Sequence, residues 1–282
     1  MTAISRAARV GLAGVLVIGN PPAAAQSGPV PKTFVYQRVG AQDLAAHVFL
    51  PRGYSAARPA NAVLLFHGGG WSAGEPAWTF EVARRFAAWG LVAIAIQYRL
   101  SLGTVTPIDA FADVCAAVRW ARSTEMVRLG PRLAGYGISA GGQLAAAVGT
   151  IGCPDQSASF DAVLLLSPAV DLARDQWFER LLQGRARSRD YSPVEHVRRT
   201  SPPTSIVHGE DDTLTPIAGA RRFCRALVSL GQRCELHAFP RLGHLLTRNL
   251  AEQEQAFDPD PQAQAAGLER QRRFLESLGF MP

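Results

Sequence analysis

The sequence predicts an α/β fold, a mostly parallel eight-stranded sheet with helices on both faces, and three observations carry that reading. Residues 62–66 (AVLLF) and 91–96 (LVAIAI) are strand-length runs with no polar interruption, as expected of strands covered on both faces. Helix-length stretches with apolar residues at helical spacing alternate with such runs. The 282 residues are 48% hydrophobic and 18% charged, enough apolar material for a sizeable core and unlike a disordered or collagen-like chain.

Residues 33–38 and 44–50 read as two strands of a hairpin, separated by Gly40, Ala41, Gln42 and Asp43. The strand 62–66 ends at His67-Gly68-Gly69-Gly70. Val82, Phe86 and Trp89 form a helix face stopped by Gly90, and the strand 91–96 follows. Thr106 caps the next helix, with Pro107 in its first turn and Asp109 three positions on, while Ile108, Phe111, Cys115 and Val118 supply its buried stripe. The strand 132–138 turns at Ser139 straight into a small-residue helix. Strands follow at 161–166, 204–207 and 234–238, with a helix opened by Thr215-Pro216 before the last and a final helix over roughly 262–278. The one long connection, about 171–203, carries Trp177, Phe178, Leu181 and Leu182. It lies between the ends of consecutive strands and is placed as a lid-like insertion over the carboxyl edge of the sheet.

Residues 1–25 have two arginines, an apolar run from Val10 to Ile18, a Pro21-Pro22 break and then three alanines. That is the pattern of a secretory signal peptide cut near Ala25, leaving residues 26–282 as one domain in a secreted or periplasmic protein. The apolar run is under half of the roughly 20 residues that span a bilayer, so no stable membrane insertion is expected. Lys and Arg number 29 against 23 Asp and Glu; with Arg6 and Arg9 in the leader, the remaining surplus is four. Without a clustered basic stripe this does not read as nucleic-acid binding. Four cysteines in an exported chain can form two bridges: Cys224 with Cys234 is favoured by proximity, and Cys115 with Cys153 requires two helix ends to meet. None of their spacings is that of a metal site.

The chemistry is concentrated in a few residues. In Gly137-Ile138-Ser139-Ala140-Gly141, a sharp strand-to-helix turn exposes the serine, and glycines are needed where a Cβ would clash across the turn. Ser139 is thus held as a nucleophile at a helix amino terminus. A serine hydroxyl needs a base to take its proton and an acid to orient that base. His208-Gly209-Glu210-Asp211-Asp212 follows one strand and Gly243-His244 follows the last, so both lie on the same sheet edge as Ser139. Asp212, just before the next helix, is the favoured acid, ahead of Asp211 and then Glu210. His244 is the favoured base; His237 lies inside a strand, and His208 reads as a brace at the start of the acid loop. The bare N–H groups of Gly69 and Gly70, with that of Ala140, can stabilise an oxyanion. Trp71, Trp177 and Phe178 are candidate substrate contacts at the mouth. No lysine follows the glycines, so a phosphate site is not indicated.

These residues resemble the serine esterases of the α/β-hydrolase superfamily, and within it the group with an HGGGW oxyanion motif related to hormone-sensitive-lipase-type and feruloyl or acetyl-xylan esterases. The likeness rests on His67 to Trp71, Gln97-Tyr98-Arg99-Leu100, Gly137 to Gly141, the segment from His208 to Pro216, and Gly243-His244. It implies a triad of Ser139, Asp212 and His244, oxyanion donors at Gly69, Gly70 and Ala140, and structural roles for Tyr98 and Arg99. It also implies hydrolysis of short-chain or aryl carboxylic esters, small or polymer-attached, through an acyl-enzyme and without cofactor or metal. An exported amidase, an arylformamidase-like hydrolase and a non-catalytic binding protein on the same scaffold are the alternatives. Few residues separate the leader from position 33, where hormone-sensitive-lipase-type enzymes carry a helical cap. Asp212-Thr213-Leu214 also replaces the Asp-Pro-Leu common in that group, and both departures imply a more open site.

Overall fold

A computed structural model describes residues 30–155 and 158–281. The signal-peptide expectation at residues 1–25 lies outside the described residues. Eight strands form one sheet: β1 Lys32–Val39, β2 Gln42–Phe49, β3 Ala60–Phe66, β4 Val92–Ile96, β5 Leu129–Ile138, β6 Ala162–Leu166, β7 Thr204–Gly209 and β8 Cys234–Phe239. Their spatial order is β1-β2-β4-β3-β5-β6-β7-β8. β1 and β2 pair antiparallel, as do β2 and β4, and every pair from β4 to β8 is parallel. The hairpin turn is tighter than expected: Gln42 and Asp43 already pair in β2, opposite Val39 and Arg38.

Strand alternation divides the core into two layers. On β3, Ala62, Leu64 and Phe66 face one layer, while Val63 and Leu65 face the other. The first layer is closed by α2 (Pro107–Ser123), α3 (Ala140–Thr150) and α5 (Ile217–Ser229) through Phe111, Val114, Leu144, Phe223 and Leu227. The second is closed by α1 (Phe80–Ala88) and α6 (Pro261–Ser277) through Ala83, Phe86, Phe274 and Leu275. Both faces of the sheet are therefore covered, which is why the central strands carry no alternating polar residues. The expected cap of α2 is present: the Asp109 carboxylate accepts the Thr106 N–H at 2.8 Å.

Both cysteine pairs are bonded, Cys115 with Cys153 and Cys224 with Cys234. The first ties α2 to the exit of α3, and the second ties α5 to the start of β8.

The insertion at 171–203 contains a short helix, α4 (Gln176–Leu181), and two 3-10 turns, Ser188–Tyr191 and Pro193–His196. Its apolar side chains Phe178, Leu182 and Val194 join the first core layer. Polar contacts lace it to the body: Arg185 reaches Thr106 Oγ1 at 3.1 Å and Asp109 at 2.6 Å, and Gln183 Nε2 donates to the Gly103 carbonyl.

Candidate active site

Four connections on the carboxyl edge of the sheet, after β3, β5, β7 and β8, build the site. Ser139 stands between β5 and α3 with φ 52° and ψ −116°, a conformation costly for any residue with a side chain. The flanking glycines make the turn physically attainable. A Cβ on Gly137 would collide with the Gly141 carbonyl, and a Cβ on Gly141 would collide with the carbonyl oxygens of Phe66 and His67. Gly142 is similarly closed by Pro168. The elbow is thus wedged between β3 and the residues that follow β6.

The Ser139 Oγ lies 3.0 Å from Nε2 of His244, and Nδ1 of that ring lies 2.8 Å from Oδ2 of Asp212. Both partners are nearly inaccessible, His244 at 2% and Asp212 at 5%. Asp212 Oδ1 accepts the N–H groups of Leu214 at 3.0 Å and Thr215 at 2.8 Å. Burial opposes ionisation of Asp212, but the hydrogen bonds and charges of His208 and His244 outweigh it and hold the carboxyl well below the usual carboxylate range. The neighbouring acids are turned elsewhere: Asp211 is exposed, and Glu210 pairs with Arg221 at 3.0 Å. His237 sits beside Glu235 on β8.

The loop after β3 offers backbone donors. Gly69 and Gly70 have φ of 108° and 57°, and Ser72 and Ala73 both donate to the Gly69 carbonyl, closing a tight turn. A side chain at Gly69 would overlap the Ala73 carbonyl. Among the described residues no acceptor is paired with the N–H of Gly69 or of Gly70, and Ala140 opens α3, where the first N–H groups have no partner within the helix. Tyr98, two residues past the end of β4, braces this loop, stacking on His67 at 4.2 Å and donating to its carbonyl at 2.7 Å. Burial pushes the His67 imidazole down to about 4. Arg99 grips buried Asp113 of α2 through two nitrogens, each at 2.8 Å.

Two expected substrate contacts are corrected. Trp71 is 4% exposed and Phe178 is 0% exposed, their rings 4.7 Å apart, so neither can touch a ligand without unpacking the core. Trp71 instead donates through Nε1 to Gln143 at 2.9 Å, and Gln143 Nε2 donates to the Tyr191 carbonyl of the insertion. Trp177 remains at the surface, 47% exposed, with its indole nitrogen 3.6 Å from where a Cβ on Gly70 would stand.

Sequence reasoning missed the residues that hold the acid and base loops together. Buried Gln253 accepts the N–H groups of His244 (2.8 Å) and Thr213 (3.3 Å) and donates to the Asp211 carbonyl. Ser167, with φ 45°, accepts the Leu245 N–H on its hydroxyl oxygen, while its carbonyl accepts from Thr215 Oγ1. Gln253 and Ser167 belong to no spaced motif and gave no signal.

Residues 63–248 match the profile of a family defined by the alpha/beta hydrolase fold. The chain belongs to that family. Among curated relatives, this α/β hydrolase is 31% identical over 207 residues to Esterase LipC of Mycobacterium tuberculosis, a stretch that covers 62% of the chain and 50% of the relative. It is 27% identical over 218 residues to the probable carboxylic ester hydrolase LipM of the same organism, covering 64% and 50%. The chain thus spans about half the length of these curated relatives. Among solved structures, esterase 2 of Thermogutta terrifontis superposes with a TM-score of 0.79 at 30% identity, covering 90% of this chain and 94% of that one.

Proposed function

We propose that this α/β hydrolase is a serine carboxylesterase acting on short-chain or aryl carboxylic esters. The observation that carries the reading is the continuous relay from Asp212 through His244 to Ser139, which ends beside backbone N–H groups that have no acceptor among the described residues.

The geometry suits a two-step acyl transfer. His244 Nε2 takes the Ser139 proton as Oγ attacks the ester carbonyl, and Asp212 holds the tautomer with hydrogen on Nδ1 and stabilises the imidazolium that forms. The N–H groups of Gly69, Gly70 and Ala140 receive the developing oxyanion, each such donor contributing on the order of 3 kcal/mol to lowering the barrier. His244 returns the proton to the departing alcohol. Water then repeats the attack on the acyl-enzyme by the same route.

Trp177 beside the oxyanion loop supplies an aromatic wall for a short acyl or aryl group, from a small or polymer-attached ester. Structures of the Thermogutta terrifontis esterase bound to propionate and to butyrate support a short acyl preference. Export is part of the same reading: the leader pattern and two disulfides both suit an oxidising compartment.

Nitrophenyl acetate and butyrate, a feruloyl ester, a polymeric ester and the matching amides form the test panel. Turnover of the short esters with little on the amides is expected. Amide turnover equal to ester turnover would transfer the assignment to an amidase, and no labelling of Ser139 by a fluorophosphonate would remove catalysis altogether.

A further inference from the structure

His208 is the third residue around the acid, and its placement exceeds what bracing a loop requires. It sits at the end of β7 with no exposure. Its Nε2 lies 2.7 Å from the Thr215 carbonyl oxygen and 3.2 Å from Asp212 Oδ2. Both are acceptors, so Nε2 carries the hydrogen. Nδ1 is buried with no partner among the described residues. Leaving a buried nitrogen unpaired is unfavourable, and an apolar side chain would fill the same space without that penalty. The useful edge of the ring is therefore the one facing Thr215 and Asp212.

The carboxylate accounts for the need. Asp212 Oδ2 has three polar neighbours: His244 Nδ1 at 2.8 Å, Thr215 Oγ1 at 2.9 Å and His208 Nε2. Thr215 is itself fixed from two sides, its N–H on Asp212 Oδ1 and its carbonyl on His208. We propose that His208 is a positioning residue. It fixes Thr215 and the rotation of the Asp212 carboxylate, and so aims Oδ2 at His244 rather than at the backbone. It also draws charge from Oδ2, which limits how strongly Asp212 favours the His244 imidazolium. The titratable groups facing the carboxylate are His208 from β7 and His244 from the loop after β8, and no lysine or arginine forms an ion pair with any of these three among the described residues.

The inference rests on the esterase reading of Ser139, His244 and Asp212, and the test separates the two. Full-length wild type, H208L and H208Q are assayed on nitrophenyl butyrate, with active sites counted by fluorophosphonate titration so that misfolded protein does not enter the rate. Glutamine keeps a donor near the Nε2 position, and leucine removes it. The expected result for H208L is a fall in kcat of about tenfold per titrated site with KM within twofold. The acid limb of kcat/KM should also move to higher pH, because the freed Oδ2 charge favours the imidazolium. H208Q should recover most of the rate. If H208L does not fold, H208N, whose amide ends short of Nε2, replaces it. Equal loss in H208Q and in the variant lacking a donor at the Nε2 position, or wild-type kcat and pH profile in that variant, would overturn the positioning role. A wild type that hydrolyses no ester would instead overturn the esterase reading.

Discussion

The two halves of the site are held by different forces. Around Ser139 and the oxyanion loop, geometry is fixed by exclusion: Gly69, Gly74, Gly137, Gly141 and Gly142 stand where any Cβ would overlap a neighbouring atom. Around Asp212 and His244, geometry is fixed by attraction, through polar contacts with Thr215, Gln253, Ser167 and His208 that bind two loops far apart in sequence. A steric lock has no pH- or salt-dependent contact of its own but admits no added atom. A hydrogen-bonded lock tolerates volume changes but no loss of donor or acceptor.

The largest expected effect lies where the halves meet. S139A should lower kcat on nitrophenyl butyrate by several orders of magnitude, since removing a nucleophile that acts as part of a unit costs on the order of 10⁶ in the best-studied case; a loss under tenfold would show that another group attacks. Next comes the steric half. G141A and G141S should destabilise alike, by about 3 kcal/mol or more, because the first added carbon makes the collision. Denaturant melting checks this, and a serine variant much more stable than the alanine one would show that polarity matters there after all.

His67 sharpens the contrast, being a titratable group within the steric half. Its folded-state pKa of about 4 lies below the ordinary histidine value of 6.5 because burial disfavours the cation. The unfolded chain therefore binds the proton more readily, and stability is complete above about pH 6.5 and falls as the pH drops toward 4, by about 3 kcal/mol in all. Melting curves across that range should show the loss, and H67Q should flatten it. Gln253 is the matching case in the hydrogen-bonded half: Q253A leaves the N–H groups of His244 and Thr213 without their acceptor, at about 2 kcal/mol. A Q253A enzyme with unchanged kcat and melting temperature would dissolve the contrast. The smallest effect is expected from W177A, a rise of a few-fold in KM with kcat within about twofold, because Trp177 is exposed at the mouth and bonded to none of the three reacting side chains.

This division also explains what could be read from the sequence. Steric locks write themselves as glycines at fixed offsets from the residue they serve, so the elbow, the oxyanion turn and their places at strand ends were legible. The central strands were equally legible, because strands covered on both faces are uninterrupted runs of apolar residues, whereas the polar-containing pair at 33–38 and 44–50 was legible from the turn between them. Hydrogen-bonded locks leave no such trace: Gln253 is one of several glutamines in a polar stretch, and only folding puts it against the backbone of His244. Trp71 and Phe178 misled for a related reason. An aromatic beside a glycine loop reads as a mouth residue, whereas here the two rings fill the space between that loop and the insertion.

That last contact has a kinetic consequence. Trp71 follows the oxyanion glycines directly and is clamped by Gln143 of α3 on one side and Phe178 of α4 on the other, with Tyr191 completing the connection. Swinging the insertion outward would therefore pull on the very peptide groups proposed to receive the oxyanion. An insertion tied down in this way is expected to act as a fixed wall, so hydrolysis should follow a simple hyperbola as substrate passes from monomer to micelle, with no activation at a lipid–water interface.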